Sequence, residues 1–296
     1  MAEVRPFLQS VLEGTRIPQS RIDEVLCHYE IFNGVSPYNK VTDRQKEALQ
    51  SWLEKKDTPV PVYAAFRHAS PAFREVFEDL KKNGVERAVG FVLSSFRCAA
   101  SFEKYVKKLE EAKVAAGASS VVIEFTENLF KQPLFLEAQT EKIRLVLNNF
   151  SKEEFGRTFF LFSAHSIPVA MSDESRYSDQ FAEASALIAK DMDFLHWGLG
   201  YQSRSGNPNE PWLSPDVKEM IARLDRTQFR NVVLIPIGFL CDNMEVLYDL
   251  DVEAKKAAEA AGLKYLRAAA VADHPKFIEM MGNLVLQKIQ TSPVWK

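Results

Sequence analysis

Glu245, Asp249 and Glu253 stand four residues apart, just beyond an apolar run that closes on Pro236-Ile-Gly-Phe239. On a helix, residues at i, i+4 and i+8 share one face, so the three carboxylates form a row. Acids of one sign stacked in this way repel each other unless a cation or protons offset the charge. Hard oxygen donors in a row suit a divalent metal ion or a path for protons. The same residues have a plainer use. Asp242-x-x-Glu245 has the form of a capping box with Asp242 as N-cap, and acids near a helix N-terminus favour the macrodipole. Glu253, with Lys255 and Lys256 close behind, also fits a solvated face. His165 is the second candidate, because an imidazole changes charge near neutral pH and binds metals. On its own it fits equally a loop histidine bonded to backbone.

The elements that must position these residues alternate along the chain. The first forty residues read as helical, with a polar break at 14–18, a helix over 19–32 ended by Asn33-Gly34, and a helix over 42–54 opened by Thr42-x-x-Gln45. Strands are expected at 60–65, 88–93 and 120–125, and helices at 71–82, 102–114 and 133–148. The second half repeats the pattern, with strands at 158–162, 196–202, 232–237 and 263–269. Its helices are expected at 174–191, 215–224, 242–261 and 275–289, with Gly262 suited to ending the acidic helix. Strands alternating with helices give an α/β fold of parallel sheets flanked by helices.

The polar stretch 149–154 separates two halves of similar pattern. The expected division is an N-terminal lobe over 1–149, a C-terminal lobe over 150–270 carrying His165 and Glu245, and a closing helix over 271–296 that packs back on the lobes. Ligands of open α/β sheets bind beyond the carboxyl ends of the strands. A strand ending at Phe162 puts His165 in that crevice, and one ending at Ile237 puts Glu245 a helical turn further on. The first half opens with helices and has one strand fewer than the second, so a matching first strand would lie before Met1.

Composition narrows the field. The chain has 296 residues, with 40 acidic against 37 Lys plus Arg, and no basic block, which argues against nucleic-acid binding. No apolar run reaches the ~20 residues of a membrane span, and the N-terminus lacks a signal-peptide core. Cys27, Cys98 and Cys241 are scattered without C-x-x-C spacing, so they build neither a zinc site nor a four-cysteine cluster. Free thiols in a reducing, cytoplasmic compartment are expected.

Several motifs at consistent spacing resemble one family. Phe162-Ser-Ala-His-Ser-Ile-Pro168, Tyr201-Gln-Ser-Arg-Ser-Gly206 with Trp212-Leu-x-Pro-Asp216, and Pro236-x-Gly-Phe-x-x-Asp-x-x-Glu-x-Leu-Tyr-Asp249 are similar to ferrochelatase signatures. Asn33-Gly-Val-Ser-Pro37 resembles the family's Gly-Gly-x-Ser-Pro turn, and Val85 to Leu93 the strand before its substrate loop. The likeness covers nearly the whole chain, and the pattern resembles the shorter bacterial enzymes.

The resemblance implies two similar Rossmann-like lobes with a porphyrin held in the cleft between them. It implies insertion of ferrous iron into coproporphyrin III or protoporphyrin IX in haem biosynthesis, with release of two pyrrole protons. The family's invariant histidine falls on His165 and its catalytic glutamate on Glu245, each a base or a metal ligand. Asp249 and Glu253 match an acidic line that carries metal or protons outwards. Phe239 matches an aromatic lining residue, and Tyr29, Ser36 and Arg67 match positions near the other porphyrin face or its propionates. Trp212 would add to the apolar grip, although both it and Phe239 equally suit core packing.

Iron enters as substrate, no organic cofactor is implied, and the lack of a cysteine-bearing C-terminal extension argues against an iron–sulfur cluster. Implied partners are the porphyrin, ferrous iron and iron- or haem-handling proteins. No membrane-attaching apolar lip stands out, which favours the tetracarboxylate porphyrin and a cytoplasmic enzyme, at most peripheral to a membrane.

Two features depart from the family pattern. Asn243 stands where the family commonly has histidine, so a proton relay through that position is lost or replaced. The first strand, with its Gly-Thr-Pro loop, has no counterpart, which leaves one side of the pocket incomplete. These departures keep open a catalytically weak porphyrin- or haem-binding relative. A cobalt chelatase of the same fold is the third reading, less favoured by the Tyr-Gln-Ser and Asp-x-x-Glu motifs.

Overall fold

In a computed structural model that describes residues 4–11, 19–148, 150–205 and 209–295, the chain alternates helices and parallel strands in two compact units. The expected break at 14–18, Asn149 at the expected lobe boundary, Gly206 at the end of its motif and Met1 lie outside the described residues.

The first unit comprises Met1–Leu93, Ala99–Glu127 and Ile278–Lys296. It contains α1 (Val4–Val11), α2 (Gln19–Ile31), α3 (Tyr38–Glu54), α4 (Phe73–Lys82), β1 (Arg87–Gly90), a π-helical turn over Ala99–Glu103, α5 (Lys104–Ala115) and β2 (Val122–Phe125). Helix α2 ends where Asn33 and Gly34 take positive φ of 56° and 71°, and the Gly34 N–H bonds back to the Tyr29 carbonyl at 2.7 Å, as Asn-Gly at a helix end dictates. Helix α3 starts four residues before Thr42. The Thr42 hydroxyl donates back to the Tyr38 carbonyl instead of capping, and Ser36 Oγ accepts the Tyr38 N–H.

Strands β1 and β2 pair in parallel, over a small core of Phe77, Leu80, Ala118 and Val121. The strand expected at 60–65 does not form. Pro61 removes one backbone donor, the Val62 N–H goes to the Gln50 side chain, and the Val60 N–H turns back on Thr58.

The second unit comprises Ser94–Cys98 and Asn128–Phe277. In chain order it contains α6 (Pro133–Leu147), α7 (Lys152–Gly156), β3 (Thr158–His165), α8 (Val169–Ser175), α9 (Tyr177–Asp191), β4 (Trp197–Gln202), α10 (Val217–Ala222), β5 (Asn231–Ile235), a π-helical segment Val246–Ala254, α11 (Lys255–Ala260), β6 (Lys264–Arg267) and α12 (Pro275–Thr291), which passes to the first unit at Ile278. Its sheet is wholly parallel, in the order β4-β3-β5-β6. Val232 to Ile235 and Leu161 to Ala164 are fully buried, which is what central strands covered on both faces require.

Three expectations for this unit need correction. The helix expected over 174–191 is two helices, separated by Arg176 in the left-handed region (φ 57°). Strand β3 runs three residues past Phe162, because Ala164 and His165 continue the register with Tyr201 and Gln202. His165 is therefore the last residue of the strand rather than part of the following loop. The acidic helix expected over 242–261 is largely π-helical.

Candidate active site

The strand order of the second sheet fixes where a site belongs. The chain passes from β3 outwards to β4, then crosses back over β3 to β5 and on to β6. The direction of winding thus reverses between β3 and β5, and a crevice opens beyond their carboxyl ends. His165 ends β3, and the segment leaving β5 leads to Glu245. Gly238 makes that exit: its N–H bonds to the Ser163 carbonyl at 3.1 Å, and a Cβ there would lie 2.6 Å from the Ala164 backbone. Only glycine allows the two segments to touch.

His165 Nε2 lies 3.7 Å from a Glu245 carboxylate oxygen, an ion-pair distance too long for a hydrogen bond. Its Nδ1 faces the Ser166 carbonyl. A carbonyl can only accept, so Nδ1 carries the hydrogen and the neutral ring leaves Nε2 with a free lone pair towards Glu245. The Tyr177 hydroxyl donates to the His165 carbonyl at 3.1 Å and fixes the strand end. Burial pulls the His165 pKa down, but Glu245 and the Ser166 carbonyl outweigh it and the net shift is upward. For Glu245, burial pushes the carboxyl up, while His165 and a hydrogen bond from Asn243 bring it below its ordinary value. Half of the Glu245 side-chain surface is open, against 30% for His165, so both are accessible to a substrate.

Asp249 and Glu253 follow Glu245 on the π segment. Its i→i+5 winding widens the turn, so residues four apart fall short of a full circle rather than about 40° past it as in an α-helix. The neighbouring line, Val246, Leu250 and Ala254, is completely buried and holds the acidic line at the surface beside it. Asp249 accepts the Ser203 hydroxyl. Burial raises its pKa to about 6, the Ser203 bond opposes this, and the charges of Glu245 and Glu253 add to it. Glu253 pairs with Lys218 Nζ at 2.7 Å. The capping box read at Asp242 is not formed. Asn243 caps instead, accepting the Val246 N–H at 3.0 Å, while Asp242 is held by Arg267.

Ser203 and Lys218 are thus parts of the site that the sequence did not single out, and Asn243, marked there only for the histidine it replaces, serves as a cap. Ser203 sits in the Tyr-Gln-Ser motif with a left-handed φ of 60°, and that serine beside a glutamine was the available signal. Lys218 follows Asp216, which caps α10 by accepting the Lys218 N–H at 2.7 Å.

The other candidates are spread more widely. Phe239 is 8% exposed and belongs to the core with Leu161, Val246 and Leu250. Trp212 bridges Pro168, and its Nε1 has no partner among the described residues. In the first unit, Tyr29 is buried near the end of α2, Ser36 accepts the Tyr38 N–H just ahead of α3, and Arg67 donates Nε to His68 at 2.6 Å beneath the Tyr105 ring. Among the described residues, no group of three or more His, Cys, Asp or Glu side chains could hold a metal ion, and no helix is long and apolar enough to cross a membrane.

Comparison with known proteins identifies the family. A family model described as Ferrochelatase matches residues 1–289. The ferrochelatase of Rhodopirellula baltica is 36% identical over 97% of this chain and 82% of its own length. The coproporphyrin III ferrochelatase of Mycobacterium bovis is 34% identical over 96% of this chain and 80% of its own. Among solved structures, SirB from Bacillus subtilis with Fe3+ has a TM-score of 0.60 at 16% identity, covering 84% of this chain and 90% of SirB. The sirohydrochlorin chelatase SirB with cobalt, from Bacillus subtilis subspecies spizizenii, has a TM-score of 0.57 at 13% identity, covering 84% and 88%. At those identities the likeness establishes the fold alone, parallel α/β of the chelatase kind.

Proposed function

The chain belongs to the ferrochelatase family of porphyrin metal chelatases, and we propose that His165 and Glu245 carry its insertion of ferrous iron. The observation behind this is the pair itself: an imidazole lone pair aimed at a carboxylate 3.7 Å away, beyond the strand ends where the winding reverses. Insertion replaces two pyrrole N–H protons by the metal, so the site needs a base near neutral pH and a ligand that helps strip water from iron. His165 Nε2 accepts one pyrrole proton, with the Glu245 carboxylate stabilising the imidazolium that results, and once that proton has left along the acidic row His165 accepts the second. Asp249 and Glu253 extend the line towards solvent. With burial raising its pKa to about 6, Asp249 holds a proton more readily than a free carboxylate and passes protons, or iron, along the row.

Coproporphyrin III is the substrate this reading favours, since relatives of that name align with 96% of the chain. In the first unit, Arg67 and Ser36 are the candidates to meet its carboxylates and Tyr29 an apolar face; in the second unit, Phe239 and Trp212 are the apolar candidates. The three free thiols suit a reducing cytoplasmic setting.

The test is anaerobic insertion of ferrous iron into coproporphyrin III and protoporphyrin IX by the purified chain. Turnover abolished by His165→Ala supports the assignment, and the faster porphyrin identifies the substrate. Tight porphyrin binding without turnover would replace the enzyme by a carrier.

A further inference from the structure

Two side chains of β6 grip the π segment where its wide winding ends. The Tyr265 hydroxyl donates to the Leu250 carbonyl at 2.7 Å. The same carbonyl accepts the Lys255 N–H across five residues, so Tyr265 sits on the last wide turn. Two positions along the strand, and hence on the same face, Arg267 donates Nε and Nη2 to the two oxygens of Asp251 at 2.6 and 2.9 Å. Its Nη1 donates to Asp242 at 2.9 Å. One largely buried guanidinium, 12% exposed, therefore ties a residue inside the π segment and one ahead of it to the same strand. The Ala270 N–H, donating to Asp242 at 3.1 Å, completes the anchor.

A π winding is uncommon because the α alternative is ordinarily the better one, and it survives where its surroundings over-determine it. Reverting to α would shed one residue's worth of turn and swing the following residues by about 100° relative to Glu245. Asp249 would leave Ser203, Glu253 would leave Lys218, and Leu250 would leave the core. The fork on Asp251 and the hydroxyl on Leu250 both oppose that rotation, because together they fix the first and second residues after Asp249 against β6.

We propose that Tyr265 and Arg267 are positioning residues for iron insertion, holding the wide winding that sets Asp249 against Ser203 and Glu253 against Lys218. This rests on the reading that the acidic line serves the His165–Glu245 pair. The experiment measures steady-state insertion with iron and porphyrin varied separately, in Tyr265→Phe, Arg267→Lys, Asp249→Asn and the double variant Tyr265→Phe/Asp249→Asn. Tyr265→Phe keeps the ring and removes one hydrogen bond from a carbonyl that retains another. It is expected to raise the KM for iron by about three- to tenfold while the porphyrin KM stays unchanged. Arg267→Lys, which cannot reproduce the fork, should have the larger effect.

In the Asp249→Asn background the Tyr265→Phe change should add nothing, since both act through one group. A crystal structure of Tyr265→Phe should show Asp249 withdrawn from Ser203. The proposal is overturned if folded Tyr265→Phe keeps its iron KM, or if the two losses multiply. If Asp249→Asn alone leaves the iron dependence intact, the acidic-line reading fails first and the positioning role falls with it.

Discussion

Lys218 Nζ lies 2.7 Å from the Glu253 carboxylate, so the outer end of the acidic row already has a cation of its own. At the inner end His165 faces Glu245. Between Lys218 and His165 stands Asp249, which accepts the hydroxyl of the neutral Ser203. One end of the row thus carries a compensating cation and the other an imidazole that becomes one on taking up a proton, which answers the repulsion its spacing implies.

Removing Lys218 should change metal traffic more than stability. Burial pulls its ammonium down, but the Glu253 bond and the charges of Asp216 and Asp249 outweigh this, so it stays charged at neutral pH. The pair is partly exposed, 43% and 37%, and such pairs contribute about 0–1 kcal/mol to stability. Lys218→Met adds net negative charge at the outer end. The KM for ferrous iron should fall about two- to threefold at low ionic strength and return to the parent value in roughly 0.5 M salt, where charges at this spacing are screened. An iron KM indifferent to both changes would mean that iron does not enter along this row.

For the inner pair, the expected outcome is both chemical and spectroscopic. His165→Ala and Glu245→Gln should each reduce insertion by about 10²-fold or more, as loss of a general base does, while porphyrin still binds. With Glu245 neutralised, burial is left as the leading influence on His165, and its pKa should drop below 6.5. A titration of the histidine ring signals, five residues in all, reads this directly. The sign for stability follows. A histidine raised in the folded state stabilises the fold below about 6.5 and loses that contribution as pH rises through its folded value, so the parent and Glu245→Gln should converge in Tm at high pH.

Asp249 predicts a pH dependence of the same sense from a different cause. Its folded pKa is about 6, against 3.8 ordinarily, so the folded state holds the proton more tightly than the unfolded chain. Its contribution is full below about pH 4 and is lost as pH rises through 6. Asp249→Asn should therefore match the parent Tm at pH 4 and exceed it at pH 8 by about 2–4 °C, the effect of roughly 1 kcal/mol in a chain of this class. Its iron-dependent step should meanwhile slow more than porphyrin binding weakens. A Tm gain equal at both pH values would show that Asp249 is not protonated near neutrality.

How far the site could be read from sequence depends on whether a residue acts locally. His165 and Glu245 are legible because each follows a run buried on both faces, and strand ends of a parallel sheet are where ligands bind. Ser203 and Lys218 are not, since each acts through a contact 46 or 35 residues away along the chain. The π winding left only a faint trace: Val246, Leu250 and Ala254, all buried, recur every four residues, longer than the 3.6 of an α-helix. Capping chemistry at Asp242 looked complete in sequence and was overridden by Arg267, a tertiary partner stronger than a single backbone N–H. The segment at 60–65 shows the converse error, a strand-like composition whose backbone N–H groups go to the Gln50 side chain and back to Thr58.

Gly238 offers the sharpest test of how the fold sets the site. A Cβ at this position would lie 2.6 Å from Ala164 Cα and 2.7 Å from its Cβ, and neither can move, because Ala164 is fully buried in the central strand. The exit from β5 would have to lift away from β3, carrying the segment that leads to Glu245 away from His165. Gly238→Ala should therefore cost about 1–3 kcal/mol in stability, the usual penalty of overpacking, and reduce insertion well beyond what that loss explains. Gly262→Ala is the control. It also lies in this unit, with φ of +70° and nothing within 4 Å of an added Cβ, so it strains only the backbone, at about 1 kcal/mol. Comparable loss of stability with activity retained in Gly262→Ala, and lost in Gly238→Ala, would tie the chemistry to the spacing between His165 and Glu245. Equal activity in both would mean that this contact does not set the catalytic geometry.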